Sequence, residues 1–176
     1  MLESIDHVNI VVDDLPRMLD FYTRVLGFRQ TMRVTISGEW IDRTVALLGA
    51  KADCVYLELP QGPRVELLKY LNPPAPRPGD LGTSNTPGLR HMAFRVNDID
   101  AAVARLRDAD VRFFSGIQDV PTSQVTYAGG VRRITRLADA SAVTSTSRTT
   151  RASRDCAAEL PVAGRGVRSP PSAGTA

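Results

Sequence analysis

Apolar and polar residues alternate along Ile5-Asp6-His7-Val8-Asn9-Ile10-Val11-Val12, the two-residue period of a strand with unlike faces. The period then changes. Met18, Phe21, Tyr22, Val25 and Leu26 are spaced i, i+3, i+4, i+7 and i+8, which is one face of a helix. Asp14 is placed to cap that helix, Pro16 suits its first turn, and Gly27 suits the residue that stops it. Extended patterns return over residues 28–36, 54–59 and 65–70, the last two joined by the turn Gln61-Gly62-Pro63. The order is β-α-β-β-β. Residues 72–87 are broken by proline and glycine throughout and predict a connecting loop.

The pattern then starts again. Residues 89–96 predict a strand, and Asp98 caps a helix with apolar face Ile99, Ala102, Val103 and Leu106. Residues 111–115 predict the next strand. An ungapped shift of 84 residues lays Ile5 on Leu89, His7 on His91, Ile10 on Phe94, Val12 on Val96 and Asp14 on Asp98. The chain has 2 histidines, and they fall on each other. A repeat of this kind fixes architecture before any finer feature does.

The repeat also suggests chemistry. If two such modules pair side by side, their first strands meet near a pseudo-twofold axis, and the imidazoles of His7 and His91 converge. Neutral imidazole is a common ligand of divalent transition metals. A carboxylate is the usual companion, and Glu66 interrupts the otherwise apolar strand Val65-Glu66-Leu67-Leu68. Taken singly, each residue also fits an ordinary packed or solvent-facing role. It is the joint position of the three that points to a metal.

Composition and charge narrow the partners. Residues 1–135 carry 16 Lys+Arg and 16 Asp+Glu, while residues 136–176 carry 6 Arg and 3 acids, so the net +3 belongs to the end of the chain. The body has no basic stripe, which argues against nucleic acid. No apolar run is long enough to span a bilayer, and the first residues lack the basic and apolar regions of a secretory signal. The 2 cysteines, Cys54 and Cys156, make no disulfide framework, and a reducing cytoplasm is the expected setting. Cys54 reads as a small core residue on its strand. Of the last 41 residues, 35 are Ala, Arg, Ser, Thr, Pro, Gly or Val, and none is aromatic. Such a segment has little to bury, so residues 138–176 are expected to be disordered.

The motifs resemble the vicinal oxygen chelate superfamily, which includes glyoxalase, methylmalonyl-CoA epimerase, extradiol dioxygenases and bleomycin- and fosfomycin-resistance proteins. The resemblance rests on Ile5-Asp6-His7-Val8-Asn9-Ile10-Val11-Val12-Asp13-Asp14-Leu15, on Phe21-Tyr22 with Val25-Leu26-Gly27-Phe28, on Val65-Glu66-Leu67-Leu68 and on Gly88-Leu89-Arg90-His91-Met92-Ala93-Phe94. It covers about residues 4–134. It implies an α+β fold of paired βαβββ modules, at about residues 4–71 and 88–137, within one domain spanning residues 1–137. It also implies a cup around a divalent metal (Zn, Ni, Co, Mn or Fe) with His7, Glu66 and His91 as ligands.

One departure stands out. The epimerase and glyoxalase branches place a fourth ligand, a Glu, on the last strand of the second module. Shifting Glu66 by 84 residues reaches Thr150, and no acid lies between Asp139 and Asp155. The second module is therefore expected to lack its last strand, and residues from about 135 onward read as a frameshifted or replaced terminus. Within the family resemblance, the leading expectation is enolate-type isomerase or lyase chemistry on a small carbonyl or thioester substrate. Glu39, beside Trp40, is a substitute base. The alternatives are a non-catalytic small-molecule binder and an Fe(II) ring-cleaving dioxygenase. A homodimer is expected, with no nucleic-acid or membrane partner.

Overall fold

The computed structural model describes residues 2–74, 84, 85, 87–89, 91–125, 131–137, 145–150 and 155–161. These fall in two compact units, Met1–Arg77 with Asp98–Val111, and Pro78–Asn97 with Arg112–Ala176.

The first unit is built on a four-stranded mixed sheet in the order β1-β4-β3-β2. Its strands are β1 (His7–Val11), β2 (Arg29–Ser37), β3 (Lys51–Glu58) and β4 (Arg64–Asn72). β4 runs antiparallel to β3, and β3 antiparallel to β2, as short connections allow. β1 and β4 are parallel, from His7↔Arg64 to Val11↔Leu68. A parallel pair cannot be closed by a hairpin, so the intervening chain crosses over through helix α1 (Leu15–Asp20). Asp14 caps α1 as expected, its carboxylate accepting from the Arg17 N–H at 3.0 Å. The helix widens into a π-helical turn at Phe21–Val25, in which the Leu26 N–H donates to the Phe21 carbonyl at 3.0 Å. Gly27 then takes φ +81, the left-handed conformation that ends it.

Strand alternation divides this sheet. Ile10, Val55, Leu57, Val65 and Leu67 are at most 2% exposed. In the same unit Leu15, Met18, Phe21 and Tyr22 are buried from the first helical segment, and Ile99, Val103 and Leu106 from helix α3 (Ile99–Asp108). Asp98 caps α3, accepting from the N–H groups of Asp100 and Ala101. The residues of opposite parity form a smaller cluster of Ala52, Cys54 and Leu68, bordered by Ile36, Tyr56 and Tyr70. β2 is followed by a short helix, α2 (Glu39–Val45), closed by Ala46 in the left-handed region. Asp42 tethers the chain beyond it by accepting from the N–H groups of Gly49 and Ala50. Only Ile41 of α2 is buried, so no helical period shows in the sequence.

The second unit has β5 (His91–Arg95), β6 (Gln118–Val120), β7 (Val131–Arg136), β8 (Ser145–Thr150) and β9 (Asp155–Pro161), in the order β5-β8-β9-β7-β6. The strand expected at residues 111–115 is reduced to one bridge, Phe113↔Leu137, and pairing resumes at Gln118. The expected absence of a last strand is also corrected. β8 pairs parallel with β5, from Ala93↔Ser145 to Arg95↔Ser147, and antiparallel with β7. β9 pairs antiparallel with β5 and β8. Low apolar content argues against a buried tail, but ladder pairing satisfies backbone groups and needs no large side chain. The other residues expected to be disordered, 138–144, 151–154 and 162–176, lie outside the described residues. Among the described residues no helix is long and apolar enough to cross a membrane.

The two faces of the first sheet should respond differently to truncation. Leu67→Ala is expected to cost ~2–5 kcal/mol in urea denaturation, as a fully buried leucine does. Val34 is 40% exposed, and Val34→Ala should cost less than about 1 kcal/mol. Equal costs would show that the two positions are not packed as differently as described.

Candidate metal centre

The β1–β4 register sets Asn9 opposite Glu66, with His7 two residues earlier on the same face. The β3–β4 register sets Tyr56 opposite Glu66 from the other side. His7 Nε2 lies 3.6 Å from Glu66 Oε2. The Asn9 amide donates to Glu66 Oε2 at 2.6 Å, and the Cys54 thiol donates to Glu66 Oε1 at 3.2 Å. The other imidazole nitrogen, Nδ1, lies 2.8 Å from Asp6 Oδ2, and Arg64 pairs with that same carboxylate oxygen. His7 and Arg64 hold the Asp6 carboxyl below its ordinary range, His7 contributing more. The Tyr56 ring meets the His7 imidazole edge-on, with centroids 5.6 Å apart. Burial, and then the Glu66 carboxylate, push the Tyr56 phenol up to about 12.

This arrangement fits a divalent ion. Two donors about 2.0–2.2 Å from one metal stand roughly 3–3.5 Å apart at tetrahedral angles, close to the His7–Glu66 separation. A ligating histidine ordinarily gives its other ring N–H to a carboxylate, the position Asp6 takes here. The Glu66 side chain is 12% exposed and His7 37%, so the pair is sheltered yet reachable. Among the described residues no group of three or more His, Cys, Asp and Glu side chains is arranged to hold a metal ion. The pair is therefore a two-donor fragment.

A family model for the "Glyoxalase/Bleomycin resistance protein/Dioxygenase superfamily" matches residues 4–141. The chain belongs to this superfamily. Over 107 residues it is 31% identical to the 2-epi-5-epi-valiolone epimerase of an Actinomyces species, covering 59% of this chain and 57% of that protein. Over 114 residues it is 27% identical to human mitochondrial methylmalonyl-CoA epimerase, covering 65% of this chain and 58% of that protein. The chain thus spans little more than half the length of these two relatives. A glyoxalase family protein from Bacillus cereus superposes with a TM-score of 0.63 at 27% identity, covering 78% of this chain and 87% of that one.

Of the residues singled out in this glyoxalase-superfamily chain, His7 and Glu66 are brought together. His91 opens β5 in the second unit, at an exposed position. Glu39 is not brought to the pair. It starts α2, is 75% exposed and is ion-paired with Arg43. It follows β2, whose Met32 is level with Tyr56 and whose Ser37 is level with Lys51, so Glu39 lies beyond the far end of the strand. In the second unit the strand pairing equivalent to Asn9↔Glu66 is Ala93↔Ser145. The fourth-ligand position of the family pattern therefore carries serine by register, and not the Thr150 that the ungapped shift indicates. Glu159 of β9 also stands opposite Ala93.

Asp6, Asn9, Tyr56 and Arg64 were not foreseen as site residues, and Cys54 was read as core alone. The alternation of β3 was the available signal, since it puts Cys54 and Tyr56 on one face. Cys54 is 2% exposed, and burial followed by the Glu66 contact pushes its thiol up to about 12. A raised thiol pKa means that its contribution to stability is complete below the ordinary value of about 8.5 and is lost as pH rises toward 12. Cys54→Ala should therefore lose less stability than the natural chain between about pH 8.5 and pH 10.5, by urea midpoint. An identical alkaline loss in both would remove Cys54 from the network.

Proposed function

We propose that this chain is a divalent-metal-dependent enzyme that acts on a small carbonyl or thioester substrate by removing a proton next to the carbonyl, as an epimerase or lyase does. The observation that carries this reading is the His7 Nε2–Glu66 Oε2 pair at 3.6 Å, with His7 Nδ1 on Asp6. On this reading His7 and Glu66 would hold the ion. The bound ion supplies Lewis-acid polarisation of a carbonyl, which makes the neighbouring C–H more acidic. The chain's own residues prepare the place. Asn9 and Cys54 fix the carboxylate by donating to its two oxygens. Cys54, Leu68 and Ala52 give the surroundings an apolar floor that strengthens charge interactions at the site. The epimerase names of two relatives support this reaction class. A homodimer belongs to the same reading, tested by light scattering on the purified chain.

A second reading, a non-catalytic binder of small molecules, is favoured by Ser145 at the fourth-ligand register position. Metal titration separates the two. Co(II) should bind the natural chain and raise its melting temperature, because a ligand of the native state stabilises it. His7→Ala and Glu66→Ala should each weaken Co(II) at least about tenfold. Glu58→Ala should leave it within about twofold, since Glu58 is committed to Arg29 at 3.0 Å. Equal losses from Glu58→Ala and Glu66→Ala would show that the carboxylate is wrongly chosen. Tight Co(II) binding without exchange of a substrate α-proton with solvent deuterium, across carbonyl and thioester substrates, would favour the binder.

A further inference from the structure

Four side chains, His7 among them, close into a ring. Arg64 is tied to the residue before β1 through the backbone, its N–H donating to the Asp6 carbonyl at 3.1 Å, and through its guanidinium, which pairs with the Asp6 carboxylate. The same guanidinium lies over the Tyr56 ring, 4.6 Å from its centroid. Tyr56 in turn presents its ring to the imidazole of His7 at an interplanar angle of 87°. Asp6 completes the circuit at His7 Nδ1, at 2.8 Å.

A neutral imidazole carries one N–H, and the two nitrogens have unequal neighbours. Nδ1 has a carboxylate oxygen at hydrogen-bond distance. Nε2 has Glu66 Oε2 at 3.6 Å, beyond hydrogen-bond range, and that oxygen already receives the Asn9 amide at 2.6 Å. The proton therefore belongs on Nδ1. The Asp6 side chain is 68% exposed, and an exposed carboxylate by itself orients a neighbour weakly. Arg64 supplies what is missing, because its fork fixes Asp6 while its stacked face steadies Tyr56 against the imidazole.

We propose that Asp6, Tyr56 and Arg64 are positioning residues that hold His7 as its Nδ1–H tautomer, with the Nε2 lone pair presented on the Glu66 side. The inference rests on the metal reading for its use, since that lone pair is the one a metal would take. The tautomer itself is set without metal and is measured without it.

The test is two-bond proton–nitrogen correlation NMR on the full, metal-free, ¹⁵N-labelled chain, ~2 pH units above the ordinary histidine pKa. The chain's 2 histidines give two patterns, and His7→Ala assigns the one from His7. The natural chain should show Nδ1 protonated and Nε2 bare. Asp6→Ala should move His7 toward the Nε2–H tautomer. Arg64→Met and Tyr56→Leu should give mixtures, and Tyr56→Phe, which keeps the ring, should not. Co(II) affinity should fall about tenfold in Asp6→Ala. Should any variant fold poorly by circular dichroism, the natural chain and Tyr56→Phe still decide. An Nε2–H tautomer in the natural chain, or an undiminished Nδ1–H in folded Asp6→Ala, overturns the inference. If the tautomers respond as stated but Co(II) binds His7→Ala as it binds the natural chain, the inference stands and the metal reading falls.

Discussion

Everything at the candidate site depends on the parallel pairing of β1 with β4. The two strands are separated by more than fifty residues of chain, yet their ladder runs from His7↔Arg64 to Val11↔Leu68 and is flanked by Arg64 N–H→Asp6 C=O at 3.1 Å and Val12 N–H→Leu68 C=O at 2.8 Å. A slip of one residue would turn every side chain of a strand to the other face. What prevents the slip is burial. Ile10 is 1% exposed, Val65 2% and Leu67 0%, and a shift would bring these residues out into water. The position of His7 beside Glu66 is thus enforced by hydrophobic packing on the opposite side of the sheet.

That division of labour explains the character of the face that carries His7 and Glu66. Near its β1 edge it is polar, with His7, Asn9, Glu66, Tyr56 and Arg64 linked through contacts that satisfy one another. Further along it is apolar, with Cys54, Ala52 and Leu68 buried and Met32 and Val34 reaching solvent. Cys54 stands at the junction. Its thiol packs as a small apolar group and also donates to the carboxylate, so it belongs to both halves.

Much of this was legible along the chain. The caps Asp14 and Asp98, the stop at Gly27 and the helical face containing Met18, Phe21 and Tyr22 follow from local spacing, and local spacing is what decides them. Helix α2 was not legible, because it buries one side chain and is held by Asp42 reaching forward to Gly49 and Ala50. Strands β8 and β9 were not legible either. Their sequences, Ser-Thr-Ser-Arg-Thr-Thr and Asp-Cys-Ala-Ala-Glu-Leu-Pro, offer almost no hydrophobic pattern, and their pairing is a matter of backbone groups on a neighbouring edge. The ungapped repeat likewise put Thr150 at the fourth-ligand position, whereas strand register puts Ser145 there, because hydrogen-bond pairing does not respect a constant offset through loops.

The sequence by itself determined the repeat, the alternation of β1 and β4, and the identities of His7, Glu66 and His91 as residues of interest. Those are properties of period and residue type, carried by a few consecutive positions. Only the tertiary structure decided that Asn9 and Cys54 hold the two oxygens of Glu66, that Asp6 and Arg64 stand behind His7, and that Glu39 lies at the far end of another strand. Apart from the Asp6–His7 contact between sequence neighbours, those that build the site join strands distant along the chain or meeting only through the sheet. Their partners are chosen by register, and register is set by which apolar side chains the folded core can enclose.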